Sequence, residues 1–284
     1  MIPKRTDPVF QSKGGIFFRP VFLKKVAVFS CIFGQKVIYF FIETFQKYKP
    51  IILKGNIMLG FFNYTTWLTY LGLVCGVFGI GFAAGGHVTA AIVCLCLAGF
   101  FDLFDGKVAS TKKDRTDDMK RFGIQIDSLS DLVCFCVLPA TVMLCLQKAV
   151  LPDVDPLWFY PLAALYVLAG LIRLAYFNVT EENRQKAEKG VRKAYNGIPV
   201  TTTAVVIPFF FALYGIIKSM APGAGLDLGY FIFYCVELFF FAFGFLFKGF
   251  KIPKMHGKKM LIPLIIGGVA GIAVIIAFIL SSNK

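Results

Sequence analysis

Apolar residues along this chain fall into long blocks separated by short polar or Gly/Pro-rich pauses. Seven blocks read as membrane spans, at roughly 64–83, 88–109, 124–147, 158–178, 199–218, 228–247 and 260–282. Each is close to the ~20 residues an α-helix needs to cross a ~30 Å hydrocarbon core. The pauses include Ala84–His87, Pro152–Pro156 and Ala221–Gly225. The pattern predicts an all-α fold: a polytopic membrane helix bundle of about seven transmembrane helices.

Composition agrees. Only 16% of the residues are charged and 57% are hydrophobic, with a mean hydropathy of +0.73. A soluble domain of this length would carry far more charge to cover its surface. The formal net charge of +14 has no nucleic-acid recognition motif beside it, so nucleic acid is not an expected partner. It fits a membrane protein whose cytoplasmic loops carry Lys and Arg and face anionic lipid.

The charges fix an orientation. Lys112, Lys113, Arg115, Lys120 and Arg121 lie in the 110–122 loop. The 179–198 loop holds Arg184, Lys186, Lys189, Arg192 and Lys193, and the 248–259 loop holds Lys248, Lys251, Lys254, Lys258 and Lys259. The intervening loops contribute little more than Lys148 and Lys218. Basic loops thus alternate with neutral ones, as seven spans with a cytoplasmic N-terminus require. The expected location is the cell membrane, multi-pass. Eight cysteines, among them Cys94/Cys96 and Cys134/Cys136, sit in apolar runs and read as reduced core residues. His87 and His256 form no ligand set.

The candidate chemistry lies across the second and third spans. Asp102 and Asp105 are three residues apart, and Asp127 and Asp131 four apart. Both spacings put the carboxylates on one helix face. Consecutive antiparallel helices can bring all four together just inside the membrane, where each isolated charge costs about 2.5–3.5 kcal/mol near the centre on insertion scales. Divalent Mg²⁺ or Mn²⁺, which prefer oxygen ligands, would offset that cost and the mutual repulsion. Carboxylates with two such ions suit displacement at a phosphoryl group. Gly106, Ala109 and Gly123 beside the acids leave room for a nucleotide to approach the backbone. The bland alternative, acids that merely end helices at the headgroups, accounts for one or two of them but not for four at helical spacing.

These residues resemble a known family. The pattern D-x2-D-G-x2-A-R…G-x3-D-x3-D is the signature of the CDP-alcohol phosphatidyltransferases, and seven of its eight fixed positions are met. Ser110 stands where the family usually has Arg, and the stretch from Ala109 to Gly123 is longer than the common form. Within the family the chain is similar to the phosphatidylserine synthases of the bacterial and archaeal membrane type. Phe122–Phe135, Val137–Ala140, Arg173–Asn178 and Tyr195–Pro199 carry that likeness.

The resemblance implies a six-helix catalytic core and a phosphotransferase for substituted phosphate groups. The reaction would be CDP-diacylglycerol plus L-serine giving phosphatidylserine and CMP, in phospholipid biosynthesis, with Mg²⁺ or Mn²⁺, as two ions. By the same resemblance Asp102, Asp105 and Asp127 bind metal, and Asp131 shares metal coordination with a general-base role. Asp105, Gly106, Ala109 and Gly123 frame the cytidine nucleotide, with Asn63 and Thr66 as further contacts. Lys112, Lys113 or Arg115 would replace the missing arginine at the diphosphate. Arg173 and Asn178 end the fourth span on the cytoplasmic side and are further candidates for binding the diphosphate or serine. Arg173 can grip the serine carboxylate through two parallel hydrogen bonds or snorkel as a helix anchor. The family implies a homodimer and an active site facing the cytoplasm.

Two alternatives remain open on the residues. One is the same transfer to another alcohol, glycerol 3-phosphate or inositol phosphate. The other, of a different class, is an ion-coupled transporter, since intramembrane acids also mark ion pathways; against it, no internal repeat is visible.

The expected domains are a basic N-terminal extension (1–57), the transferase domain (58–250), and a basic loop with an additional C-terminal transmembrane helix (251–284). The extension's best apolar run, Val26–Phe45, is interrupted by Lys36 and Glu43. The codons for Lys54-Gly55 must read AAAGGN or AAGGGN, which resembles a ribosome-binding site just ahead of Met58. The expectation is that the native protein starts at Met58; a cytoplasmic amphipathic extension is the competing reading.

Overall fold

A computed structural model describes Gly60 and residues 64–112, 114–187, 194–221, 225–249 and 251–253. The expected extension and the seventh span lie outside the described residues, as do Asn63 and Lys113. Among the described residues six helical stretches are long and apolar enough to cross a membrane. The protein is a multi-pass membrane helix bundle.

After a 3₁₀ turn at Tyr64–Thr66, α1 runs over Trp67–Ala84. A tight Gly85-Gly86 turn, with Gly86 at φ +84°, leads into α2 (Val88–Thr111). The third span is one 34-residue stretch, Asp117–Val150, made of α3 (Asp117–Asp131), a π-helical segment (Leu132–Val137) and α4 (Leu138–Val150). Then come α5 (Tyr160–Ala187), α6 (Thr203–Met220) and α7 (Leu226–Leu246).

Two boundaries differ from the hydropathy pattern. The third helix begins seven residues before the expected start at 124, because Thr116 caps it, its side chain accepting from the Met119 N–H at 3.3 Å. Its first two turns carry Asp117, Asp118, Lys120 and Arg121 and are invisible to a hydropathy window. The fourth helix likewise continues beyond Asn178 into polar sequence. Hydropathy marks the part of a helix that lies in lipid, not the helix itself.

The π-helical segment has a local cause. Pro139 has no N–H to give the Phe135 carbonyl, and its ring crowds that same carbonyl. The helix widens there, and other elements supply the missing donors. Tyr166 on α5 donates to the Phe135 carbonyl at 2.7 Å; the Thr203 hydroxyl of α6 lies 3.4 Å from the same carbonyl and 2.8 Å from that of Val200. Tyr234 on α7 donates to the Pro139 carbonyl at 3.1 Å. Phe135, Leu138, Tyr166 and Tyr234 are fully buried and form the centre of the bundle.

Small residues let the helices close around this centre. A Cβ on Gly76 would stand 2.6 Å from Sγ of Cys134 and 3.3 Å from its Cα, and one on Gly79 2.8 Å from Leu138. The Gly72/Gly76 repeat therefore marks close packing, as such repeats do in membranes; its counterpart Gly267/Gly271 is not among the described residues. On α5, Gly170 lies against Cys136 in the same way. The buried cysteines are free thiols.

At the end of the bundle that carries the acids, β1 (Ala194–Asn196) pairs antiparallel with β2 (Lys251–Pro253), with Tyr195 opposite Ile252. This short ladder ties the segment after α5 to the segment after α7. Two of the three basic loops therefore meet on one side of the bundle.

Candidate active site

The four aspartates converge as their spacing predicts. Asp102 and Asp105 come from the last turns of α2, Asp127 and Asp131 from the last turns of α3. Carboxylate oxygens of Asp102, Asp127 and Asp131 lie within 4.8 Å of one another. Asp105 borders the same internal space, its Oδ2 accepting from Thr69 Oγ1 of α1 at 2.9 Å. Asp105 and Asp131 are each only 9% exposed. The π-helical segment begins at the residue after Asp131, a common position for π-turns, which recur at functional sites.

Among the described residues no Lys or Arg forms an ion pair with any of the four acids. One oxygen of Asp127 is buried with no hydrogen-bond partner. Like charges this close, dry and unpaired are unfavourable by themselves. An all-oxygen donor set with an orphaned carboxylate oxygen fits a hard divalent cation. The acidic triad of Asp102, Asp127 and Asp131 is thus a site able to hold one.

Beside the acids opens a cleft of about 290 Å³. Its walls include Gly106 and Ala109 from α2, Gly123 and Ile124 from α3, and Thr65 and Thr66 from the turn before α1. Asp105 and Asp127 are shared between this cleft and a much smaller internal space that also touches Asp102 and Asp131. Four residues expected at a nucleotide, together with Thr66, therefore line one cavity. A side chain at Gly106 would meet nothing within 4 Å, so that wall is open.

The cleft also holds two cationic residues, Arg115 and Lys120. Of the two described loop residues expected to replace the missing arginine, Arg115 lines it and Lys112 does not. Its Nη1 donates to the Ala109 carbonyl at 3.4 Å and its Nη2 to the Met119 carbonyl at 3.3 Å. Its Nε is buried without a partner. Lys112 sits at the C-cap of α2, outside the cleft wall. Ser110 turns its hydroxyl back to the Lys107 carbonyl at 2.7 Å, which uses it as a helix-end bond.

Arg173 and Asn178 lie on α5 in different settings. Arg173 is 8% exposed, and its Nη1 lies 3.3 Å from where a Cβ on Gly197 would stand. Gly197 has φ +78°, a conformation that favours glycine, so the 196–199 loop can press its backbone close to the guanidinium. Asn178 is instead engaged with Ser128. Its Nδ2 donates to Ser128 Oγ at 2.9 Å, and Ser128 Oγ lies 3.1 Å from Asn178 Oδ1. Since Ser128 follows Asp127, that pair ties the acid-bearing helix to α5.

Sequence reasoning passed over Thr65, Thr69, Lys120 and Ser130. Thr69 is one turn beyond Thr66 on the same helix face, a signal that was available. Lys120 was read only as loop charge because its helix was expected to start later.

A family model described as CDP-alcohol phosphatidyltransferase matches residues 62–244, and the chain belongs to that family. Relatives agree on the branch. The chain is 34% identical over 174 residues to a CDP-diacylglycerol–serine O-phosphatidyltransferase from Saccharomyces cerevisiae, covering 59% of each chain. It is 33% identical over 145 residues to an archaetidylserine synthase from Methanothermobacter thermautotrophicus, covering 51% of this chain and 55% of that one. A CDP-diacylglycerol–serine O-phosphatidyltransferase from Bacillus subtilis is 29% identical over 120 residues, covering 42% of this chain and 63% of that one. The matched region thus spans less than two thirds of each of these relatives.

Proposed function

We propose that this protein transfers the phosphatidyl group of CDP-diacylglycerol to L-serine, giving phosphatidylserine and CMP. The observation that carries the reading is one cleft, lined by Gly106, Ala109, Gly123 and Arg115, that reaches the acid cluster at Asp105 and Asp127. A nucleotide diphosphate needs both a cradle of small residues and a place for its charge. The relatives' names supply the acceptor: those cited above share serine and differ in the lipid.

In this reading Asp102, Asp105, Asp127 and Asp131 hold two divalent ions, Mg²⁺ or Mn²⁺. When bound, such ions stabilise charge on the phosphoryl oxygens and on the departing nucleotide. The cytidine nucleotide lies against Gly106, Ala109 and Gly123, with Thr66 and Asn63 at its edge. Arg115 faces the diphosphate in place of the missing arginine, with Lys112 and Lys113 as the loop's alternative cations. Arg173 takes the serine carboxylate, and Asn178 holds Ser128 and the acid helix in place. Asp131 accepts the proton of the serine hydroxyl as its oxygen bonds to the β-phosphorus. The bond from that phosphorus to the bridging oxygen breaks, and CMP leaves.

The basic loops face the cytoplasm by the positive-inside rule, which puts the site within reach of cytosolic serine. The setting is the cell membrane, and the assembly is a homodimer.

The test is CMP release from CDP-diacylglycerol by the full chain in detergent, with Mn²⁺ or Mg²⁺ and with chelator. Serine, glycerol 3-phosphate and inositol phosphate are offered side by side. The expected result is metal-dependent release driven by serine. Release driven by another alcohol alone overturns the acceptor, and no metal-dependent release with any alcohol overturns the enzyme reading.

A further inference from the structure

Thr69 is buried between the two acid-bearing helices. It is 7% exposed and borders both the internal space at the acid cluster and the open cleft. A helical threonine usually gives its one hydroxyl proton to a carbonyl three or four residues back. Thr69 gives it to Asp105 Oδ2 on another helix, at 2.9 Å.

The backbone of the same turn is also engaged. Ser130 Oγ, on the residue before Asp131, donates to the Thr69 carbonyl at 3.4 Å. One turn further, Cys134 Sγ donates to the Gly72 carbonyl at 3.3 Å. Span one therefore holds α2 through the Thr69 hydroxyl and α3 through the Thr69 carbonyl.

We infer that Thr69 is a positioning residue for divalent-cation binding: by holding Oδ2 of Asp105 and the turn carrying Ser130, it sets where Asp105 stands relative to Asp102, Asp127 and Asp131. Asp105 has two carboxylate oxygens. With Oδ2 committed to the hydroxyl, the plane of the carboxylate is fixed and Oδ1 is left for the ion or the nucleotide. Threonine suits the task, since its branched Cβ restricts χ1 and the hydroxyl is delivered in one direction. Partners of this kind, which orient ligands without touching the ion, typically change metal affinity or activity by about 10–100-fold when removed.

This inference rests on the metal reading of the four acids, so its test reads metal binding directly. Mn²⁺ is titrated into the purified full chain in detergent, without lipid or serine, and free Mn²⁺ is followed by electron paramagnetic resonance. Thr69→Val keeps the shape and loses the hydroxyl; Thr69→Ser keeps the hydroxyl. The expected result is Mn²⁺ affinity lower by about tenfold or more in Thr69→Val, with most of it restored in Thr69→Ser. In an Asp105→Asn background Thr69→Val should weaken Mn²⁺ binding little further.

Wild-type affinity in a monodisperse Thr69→Val protein overturns the inference. So does a Thr69→Ser protein as weak as Thr69→Val. Should the valine variant not fold, Thr69→Ala makes the same comparison with less bulk. A wild-type chain that binds no Mn²⁺ overturns both the metal reading and this inference. A wild-type chain that binds Mn²⁺ but shows no serine-driven CMP release overturns the proposed acceptor, while the Thr69 comparison still stands or falls on the resonance signal.

Discussion

Arg115 lies across Gly123, with its Nη2 2.7 Å from the point where a Cβ on that glycine would stand. The guanidinium is bedded on a glycine of α3, at the wall of the cleft. This explains how a chain with serine at position 110 can still present a planar cation there. The longer loop between α2 and α3 brings Arg115 back over the first turns of α3.

The first prediction follows from that contact. Gly123→Ala should push the flexible guanidinium aside without unfolding the helix, and Arg115→Ala should remove it. A hydrogen bond to a charged group is worth about 1.5–3 kcal/mol, which corresponds to roughly a 10- to 150-fold fall in kcat/KM for CDP-diacylglycerol. Because both changes act on one interaction, the double variant should fall well short of the sum of the two. Steady-state kinetics with varied CDP-diacylglycerol checks this, and additive losses would separate the two residues.

The acids make the second prediction. Asp105→Asn should leave the chain inserted and monodisperse while removing nearly all transfer, because a neutral amide is a poorer ligand for Mg²⁺ or Mn²⁺. Asp131→Asn should abolish CMP release more completely than it weakens CDP-diacylglycerol binding, since on the proposed mechanism it removes the proton acceptor while three acids remain. Size-exclusion profiles, nucleotide-lipid binding and turnover on the same preparations make the comparison.

Pro139 gives a prediction away from the acids. Tyr166→Phe removes the 2.7 Å donor to the Phe135 carbonyl and leaves beside it only the Thr203 hydroxyl, 3.4 Å away and nearer the Val200 carbonyl at 2.8 Å. An under-satisfied buried carbonyl costs about 1–3 kcal/mol, which should lower the melting temperature in detergent. Pro139→Ala restores the missing N–H and favours an α-helical turn there. That rotates Asp131 relative to α4 and should lower turnover even where the protein melts no earlier. A Pro139→Ala protein with full turnover would make the π-helical segment irrelevant to the site.

Much of this was written in the sequence, and for a simple reason. The 3.6-residue period turns Asp102/Asp105 and Asp127/Asp131 into faces, and lipid thickness turns apolar blocks into spans. Both rules are local. What escaped depended on contacts between elements distant in the chain. Nothing near Thr69 announces that its hydroxyl will meet Asp105, 36 residues on. Nor does anything near Asn178 announce that its amide will meet Ser128, 50 residues earlier. The start of α3 was missed because Thr116 and the charged turns after it belong to water. Pro139 could have been read as a helix disturbance, but the widening it causes became visible only with Tyr166, Thr203 and Tyr234 around it.

The last prediction separates the acceptor from the nucleotide. Arg173 is buried midway along α5 and is pressed by the Gly197 turn. If it takes the serine carboxylate, Arg173→Lys keeps the charge but loses the planar pair of donors that matches a carboxylate. The KM for serine should then rise by about tenfold or more, as expected for a charged hydrogen bond worth about 1.5–3 kcal/mol, with little change in the KM for CDP-diacylglycerol. Gly197→Ala should act in the same direction, because the added Cβ strains a φ of +78° and meets Nη1 at 3.3 Å. Asn178→Ala should behave differently: it frees Ser128 and the acid helix, so its cost should fall on kcat rather than on the serine KM. A serine KM unchanged in Arg173→Lys would assign this arginine to anchoring α5 and leave the carboxylate to be held elsewhere.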